Sequence, residues 1–124
     1  MGRPGYIGEK YVKNLLEKDG WHVIWTGNQT QMSEDQFGCD LVAFKEFPEG
    51  LKLMLVQVKS TKGKYFYIGE REHKQLQEMS KIISDNVYGR FYFLFRCRPK
   101  NILKTINIVE NITLPKKICR DKDE

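Results

Sequence analysis

Nine consecutive residues, Arg90 to Arg98 (RFYFLFRCR), set the tightest limit on how this chain can fold. Successive side chains of a strand point to opposite sides of a sheet. The middle of this segment is apolar at every position, so a strand here is apolar on both faces. Such a strand is stable when both faces are covered, as in the centre of a sheet between helical layers. The rest of the chain must supply those layers. Pro4 to Asp19 reads as the first helix, with Pro4 suited to the first turn and Gly20 to the position just past the end. At 100° per residue, Ile7, Tyr11, Val12, Leu15 and Leu16 form one apolar stripe with Glu9 at its edge. Arg71 to Asn86 reads as the second helix, with Leu76, Met79, Ile82 and Ile83 on its buried face.

Strands account for most of the remainder. Trp21 to Thr26 is rich in aromatic and β-branched residues. Cys39 to Phe47 and Leu51 to Thr61 read as two strands joined by Pro48-Glu49-Gly50, a short-loop hairpin. Leu103 to Glu110 supplies a last strand. The order α-β-β-β-α-β-β predicts an α/β domain with a mixed sheet flanked by helices. The polar stretch Gly27 to Gly38 is long for a connection inside a compact domain, and loops of that length are often functional. With 124 residues the chain suits one domain, residues 1–119, followed by a polar, frayed C-terminal tail, residues 120–124.

Composition removes several classes. A chain that is 40% hydrophobic and 12% aromatic is not a disordered polymer. No stretch reaches the roughly 18–20 uncharged apolar residues of a membrane-spanning helix. The opening MGRPGYIGEK lacks the apolar centre of a secretory signal, so the expectation is a cytoplasmic, nucleoid-associated protein with no membrane partner. Cys39, Cys97 and Cys119 are odd in number and form no CxxC pair, which argues against a zinc ribbon or a disulfide framework. His22 and His73 are too isolated for a histidine metal site, and His73 reads as a helix-surface residue. The formal net charge is +5. Lys59, Lys62 and Lys64 cluster, and Arg90, Arg96, Arg98, Lys100 and Lys104 follow one another with no acid between them. Such a field attracts polyanions, nucleic acid first.

The hairpin carries the chemistry. Antiparallel pairing across a turn at 48–50 places Asp40 opposite the region 57–59. Gln57 and Lys59 share a face, and they interrupt a run that is otherwise apolar (Leu53, Leu55, then Gln57, Lys59). Core packing alone does not select that pattern. A carboxylate, an amide and an ammonium thus converge at one end of a sheet, with Gly38 before the aspartate and Ser60 after the lysine.

Gly38-Cys39-Asp40-Leu41-Val42-Ala43, a short turn, and Leu55-Val56-Gln57-Val58-Lys59-Ser60 resemble the PD-(D/E)XK nuclease signature. Glu9, within GYIGEKYVKNLLEKDGW, is similar to the helix glutamate of the archaeal Holliday junction resolvase branch. The resemblance covers the first half to two-thirds of the chain, in order and spacing. It implies a restriction-endonuclease-like core and a metal-dependent DNA endonuclease, structure-specific and acting on junction DNA as a homodimer. It also implies the site: Mg²⁺, with Mn²⁺ as substitute, held by Asp40, Gln57, the Val58 carbonyl and Glu9, and Lys59 orienting or deprotonating the attacking water or stabilising the developing charge. Cys39 replaces a common proline, and Gln57 replaces the usual carboxylate. A glutamine carbonyl still ligates a hard cation but brings no charge.

DNA contacts are expected from Arg3, Lys10, Lys13, Ser60, Lys62, Lys64, Arg96 and Arg98. Tyr65, Phe66 and Tyr67 suit either a packed strand or a stacking surface. Thr30, Ser33, Glu34 and Asp35 suit either a solvated loop or an approach to the site. Two rivals stand beside the resolvase reading: a restriction-like, repair or homing nuclease, and a non-catalytic DNA-binding module of the same fold. Gln57 favours the module; the retained Glu9, Asp40 and Lys59 argue against it.

Overall fold

The computed structural model describes residues 4–25 and 39–121. Arg3, Thr30, Ser33, Glu34, Asp35 and the rest of the polar stretch 27–38 lie outside the described residues. The elements in chain order are α1 (Pro4–Lys18), β1 (His22–Trp25), β2 (Leu41–Phe47), β3 (Gly50–Thr61), β4 (Tyr65–Tyr67), α2 (Glu70–Ser80), β5 (Val87–Phe95), β6 (Ile102–Ile108) and β7 (Lys117–Cys119). Five strands form one mixed sheet in the order β1-β2-β3-β5-β6, and β4 and β7 form a separate two-stranded ribbon.

β5 is the strand that the sequence makes central. Phe91, Tyr92, Phe93, Leu94 and Phe95 are all buried. Tyr92 belongs to the cluster on one face of the sheet, with Val12, Leu16, Leu41, Ala43, Met54, Val56 and Val58. Phe91, Phe93 and Phe95 belong to the cluster on the other face, with Leu55, Leu76 and Met79. β5 runs parallel to β3, the crossover between them containing α2, and antiparallel to β6. The two helices therefore cover opposite faces: α1 the first, α2 the second.

The hairpin has the expected register. Phe47 pairs with Gly50 and Leu41 with Val56, which leaves a two-residue turn, Pro48-Glu49. Gly50 closes the turn at φ +135°, a conformation that side chains rarely tolerate.

α1 differs in detail from its apolar stripe. Val12 and Leu16 are buried, but Ile7, Tyr11 and Leu15 are 49%, 37% and 41% exposed. The cause is Gly8. A Cβ at Gly8 would lie 3.1 Å from the Ser60 Cβ and 3.2 Å from Val58 Cγ1. The helix thus presses on β3 along the line Gly8-Val12-Leu16, and the parallel line Ile7-Tyr11-Leu15 rolls outward. α2 is shorter than its periodicity predicts, ending at Ser80. Ser84, Asp85 and Asn86 favour turn conformations, and Ser84 bridges Val87. Ile82 and Ile83 still pack on the core from beyond the helix end. The short ribbon strands β4 and β7 add two elements to the predicted order. No helix among the described residues is long and apolar enough to cross a membrane.

Candidate functional site

Asp40 stands just before β2, where its backbone N–H donates to Val56 O at 2.8 Å. Its side chain is clamped by β3. Gln57 Nε2 donates to Asp40 Oδ2 at 2.8 Å, and the Val58 N–H donates to the same oxygen at 3.1 Å. The aspartate and glutamine expected to converge do so. The clamp also orients the glutamine: an amide oxygen facing a carboxylate would repel it, so the nitrogen takes that side. Gln57 is 2% exposed, and its Oε1 is buried with no hydrogen-bond partner among the described residues. A buried acceptor left without a donor costs about 1–3 kcal/mol.

Lys59 lies two residues further along the same face of β3. Its Nζ is 3.5 Å from Glu72 Oε2, and both side chains are 11% exposed. Glu72 sits in the first turn of α2, where Oε1 accepts the Gly69 N–H at 2.8 Å and fastens the helix start. Burial pushes the Lys59 ammonium below the usual lysine value; Glu72 and then Asp40 oppose that, and Arg71 adds to it. A lysine held this way by two carboxylates and little water is suited to proton transfer or to meeting a developing negative charge.

Sequence alone does not single out Glu72. The signal available is the spacing Gly69 to Glu72, a cap-and-N3 pattern at a helix start, which marks a capping carboxylate but not its second partner. That partner comes from β3, and only the tertiary packing of α2 reveals it.

The other expected residues distribute as follows. Glu9 is 5% exposed on the sheet-facing side of α1, beside Gly8. Ser60 points to the α1 face, opposite to Lys59, where its Oγ is buried without a hydrogen-bond partner among the described residues. Lys62, Lys64 and Arg98 are exposed beyond the strand ends, and Lys10 is exposed on α1. Lys13 pairs with Glu17 at 3.0 Å. Arg96 begins the turn after β5, its N–H bonded to Thr61 O at 2.9 Å. Tyr65 and Tyr67 are exposed on the ribbon while Phe66 packs against Phe93, ring centroids 5.3 Å apart. His73 is exposed on α2.

Among the described residues, no three or more His, Cys, Asp or Glu side chains gather into a metal cage. The donor set at the hairpin is of another kind. It combines one carboxylate, Asp40, with the unsatisfied amide oxygen of Gln57 and the neighbouring β3 backbone. Oxygen donors of that sort fit a hard cation such as Mg²⁺, which keeps several waters and needs few protein ligands.

A mixed five-stranded sheet between two helices, with polar groups at the open end of its central hairpin, is the restriction-endonuclease-like architecture. Among solved structures the chain is similar to that of Hjc from Archaeoglobus fulgidus, a Holliday junction resolvase from an archaeal hyperthermophile. The likeness has a TM-score of 0.56 at 20% identity and covers 93% of this chain and 88% of that one. No protein-family model matches the chain, and no curated protein matches it.

Proposed function

We propose that this protein is a metal-dependent endonuclease that hydrolyses phosphodiester bonds in branched DNA of the four-way junction type. The observation that carries the proposal is the group of Asp40, Gln57 and Lys59 on one face at the end of the β2–β3 hairpin, with Asp40 clamped and Lys59 largely withdrawn from water. The net charge of +5 and the basic residues flanking β3 and β5 suit a polyanionic substrate. The likeness to a junction resolvase supports the substrate class. Resolution of a four-way junction takes two coordinated cuts, so the reading includes a homodimer.

Asp40 and Gln57 Oε1 would hold Mg²⁺ or Mn²⁺, with the Val58 carbonyl and Glu9 as further ligands. The metal supplies Lewis acidity and a more acidic bound water. The chain's own residues then do the rest. Lys59 takes up or supplies a proton, or neutralises charge, at the attacked phosphate. Glu72 keeps the amine in place, and the N–H of Val58 and the amide of Gln57 fix the Asp40 carboxylate.

The second reading is a non-catalytic DNA-binding module, favoured by Gln57, which leaves one carboxylate where a nuclease of this kind usually has two. One experiment separates them. Wild type and Asp40→Asn are incubated with synthetic junctions and linear duplex in Mg²⁺, Mn²⁺ or EDTA, with gel shifts in parallel. The asparagine side chain retains an oxygen for both β3 donors, so the fold should persist. The expected outcome is metal-dependent cutting by the wild type, none by the variant, and DNA binding by both. Cutting by Asp40→Asn at the wild-type rate removes Asp40 from the site; binding without cutting by the wild type leaves the module.

A further inference from the structure

Tyr11 belongs to the apolar stripe of α1, yet it lines a cleft. At the C-terminal ends of the parallel strands β3 and β5 a concavity of about 710 Å³ is lined by Tyr11, Lys62, Arg96, Arg98, Lys100 and Asn101, among others. Its lining has four cationic side chains and no carboxylate among the described residues. The walls are tied together: Arg96 N–H bonds Thr61 O at 2.9 Å, Cys97 N–H bonds Asn101 Oδ1 at 3.3 Å, and Cys97 Sγ lies 3.3 Å from Lys100 O. Arg96 Nε is buried with no hydrogen-bond partner among the described residues. A guanidinium carries five N–H donors in a fixed fork, so an arginine lining a cationic cleft suits an anionic acceptor. Lys62 is three residues beyond Lys59, about 10 Å along an extended chain.

We propose that this cleft holds an unpaired nucleotide of the DNA substrate, its base stacked on Tyr11 and its phosphates met by Lys62, Arg96, Arg98 and Lys100. The proposal rests on the reading of the chain as a DNA endonuclease and specifies which part of the substrate lies beside the site. Charge complementarity selects a phosphodiester backbone. The aromatic ring selects an unpaired base, because the faces of paired bases are covered by their neighbours in the stack, whereas any splayed base offers a face to a tyrosine. The size falls in the roughly 300–1,000 Å³ range of clefts that take compact ligands, a nucleotide among them. Tyr11 and Glu9 stand on the same helix two residues apart, so the cleft and the sheet end are positioned by one rigid element.

The test uses a duplex carrying a three-nucleotide bulge with 2-aminopurine at its centre, and the fully paired duplex of the same sequence. Binding to wild type, Tyr11→Ala and Tyr11→Phe is measured in EDTA, so that no cutting intervenes. Stacking on an aromatic ring quenches 2-aminopurine. Wild type and Tyr11→Phe should quench it. Tyr11→Ala should not quench, and should bind the bulged probe about 5- to 150-fold more weakly, the range expected for one lost base–aromatic stack, while binding the paired duplex as before. Unchanged duplex binding also shows that the variant is folded. Persistent quenching in Tyr11→Ala, or equal loss on both probes, overturns the proposal. Cutting of junctions in Mg²⁺ is scored separately. Cutting without quenching by the wild type sinks the cleft and leaves the endonuclease; quenching without cutting does the reverse.

Discussion

Glu72→Gln removes one negative charge from beside Lys59 and alters the shape of the site very little. The amide oxygen can still accept the Gly69 N–H that the carboxylate now binds at 2.8 Å, so α2 keeps its start. What is lost is a 3.5 Å ion pair between side chains that are each 11% exposed. Deleting one partner of such a pair costs about 3–5 kcal/mol when the other remains charged. Lys59 can relieve that cost by releasing its proton, a direction in which burial already drives it. The loss expected at pH 7 is therefore about 2–4 kcal/mol, read from urea unfolding followed by tryptophan fluorescence. Its pH dependence separates charge from packing. In the wild type the Lys59 value is below the ordinary 10.5, and in the variant it falls further, because Glu72 is the largest of the influences that raise it. The unfolded chain holds its lysine proton to about pH 10.4. Between the folded and unfolded values the unfolded state binds more protons, so Lys59 makes stability rise with pH across that window. The window opens at lower pH in the variant. The stability gap between the two proteins should thus shrink as pH rises and close once the wild-type amine has also been neutralised, before the ordinary lysine value of 10.5 is reached. A gap that stays constant from neutral pH up to that value would refute the electrostatic role given to Glu72.

Other changes probe the same construction. Gln57→Glu sets a second carboxylate against Asp40, now 2.8 Å from the glutamine nitrogen, so the metal-free protein should melt at lower temperature, and added Mg²⁺ should raise its Tm more than that of the wild type. An identical Mg²⁺ response in both proteins would place residue 57 away from the metal. Gly8→Ala gains about 1 kcal/mol of helix propensity, but its Cβ meets Ser60 Cβ at 3.1 Å and Val58 Cγ1 at 3.2 Å. Overpacking of about 1–3 kcal/mol should outweigh the gain, and a higher Tm would show slack between α1 and β3. Phe93→Ala empties a site that is 1% exposed and stacked against Phe91, and should cost about 3–5 kcal/mol in chemical denaturation; a loss below about 1 kcal/mol would mean that β5 is not the centre of the core.

The elements that are legible in the sequence are those in which one local signal has one structural solution. The doubly apolar run Phe91–Phe95 can only be covered on both sides, and the turn at Pro48-Glu49-Gly50 sets the register that brings Asp40 to Gln57 and Val58. The contact face of α1 is less legible, because Ile7-Tyr11-Leu15 and Gly8-Val12-Leu16 are parallel lines on one helix and hydrophobicity favours the first. The close approach at Gly8 decides for the second, and a glycine carries no weight in an apolar count. Periodicity carries α2 on to Asn86, well past its end at Ser80, since Ile82 and Ile83 keep the helical spacing while the chain has already left the helix. The site is half legible: Asp40, Gln57 and Lys59 follow from one hairpin, whereas Glu72 enters through the packing of a separate element.

The ribbon of β4 and β7 bears on the order in which the protein is made. Tyr65 pairs with Cys119 and Tyr67 with Lys117, and the Arg120 N–H bonds Lys64 O at 2.8 Å. The turn that carries Lys62 and Lys64 is thereby secured by the final residues of the described chain. About fifty residues separate the two strands, so at roughly 5–20 residues per second of synthesis β4 emerges about 3 to 10 s before its partner exists. During that interval a nascent edge bearing two tyrosines and two lysines stays unpaired, while α1 and the β1–β3 meander already have all their residues. The segment that fastens the basic rim is thus made well after the rim itself, and a chain interrupted before β7 would carry the hairpin without it.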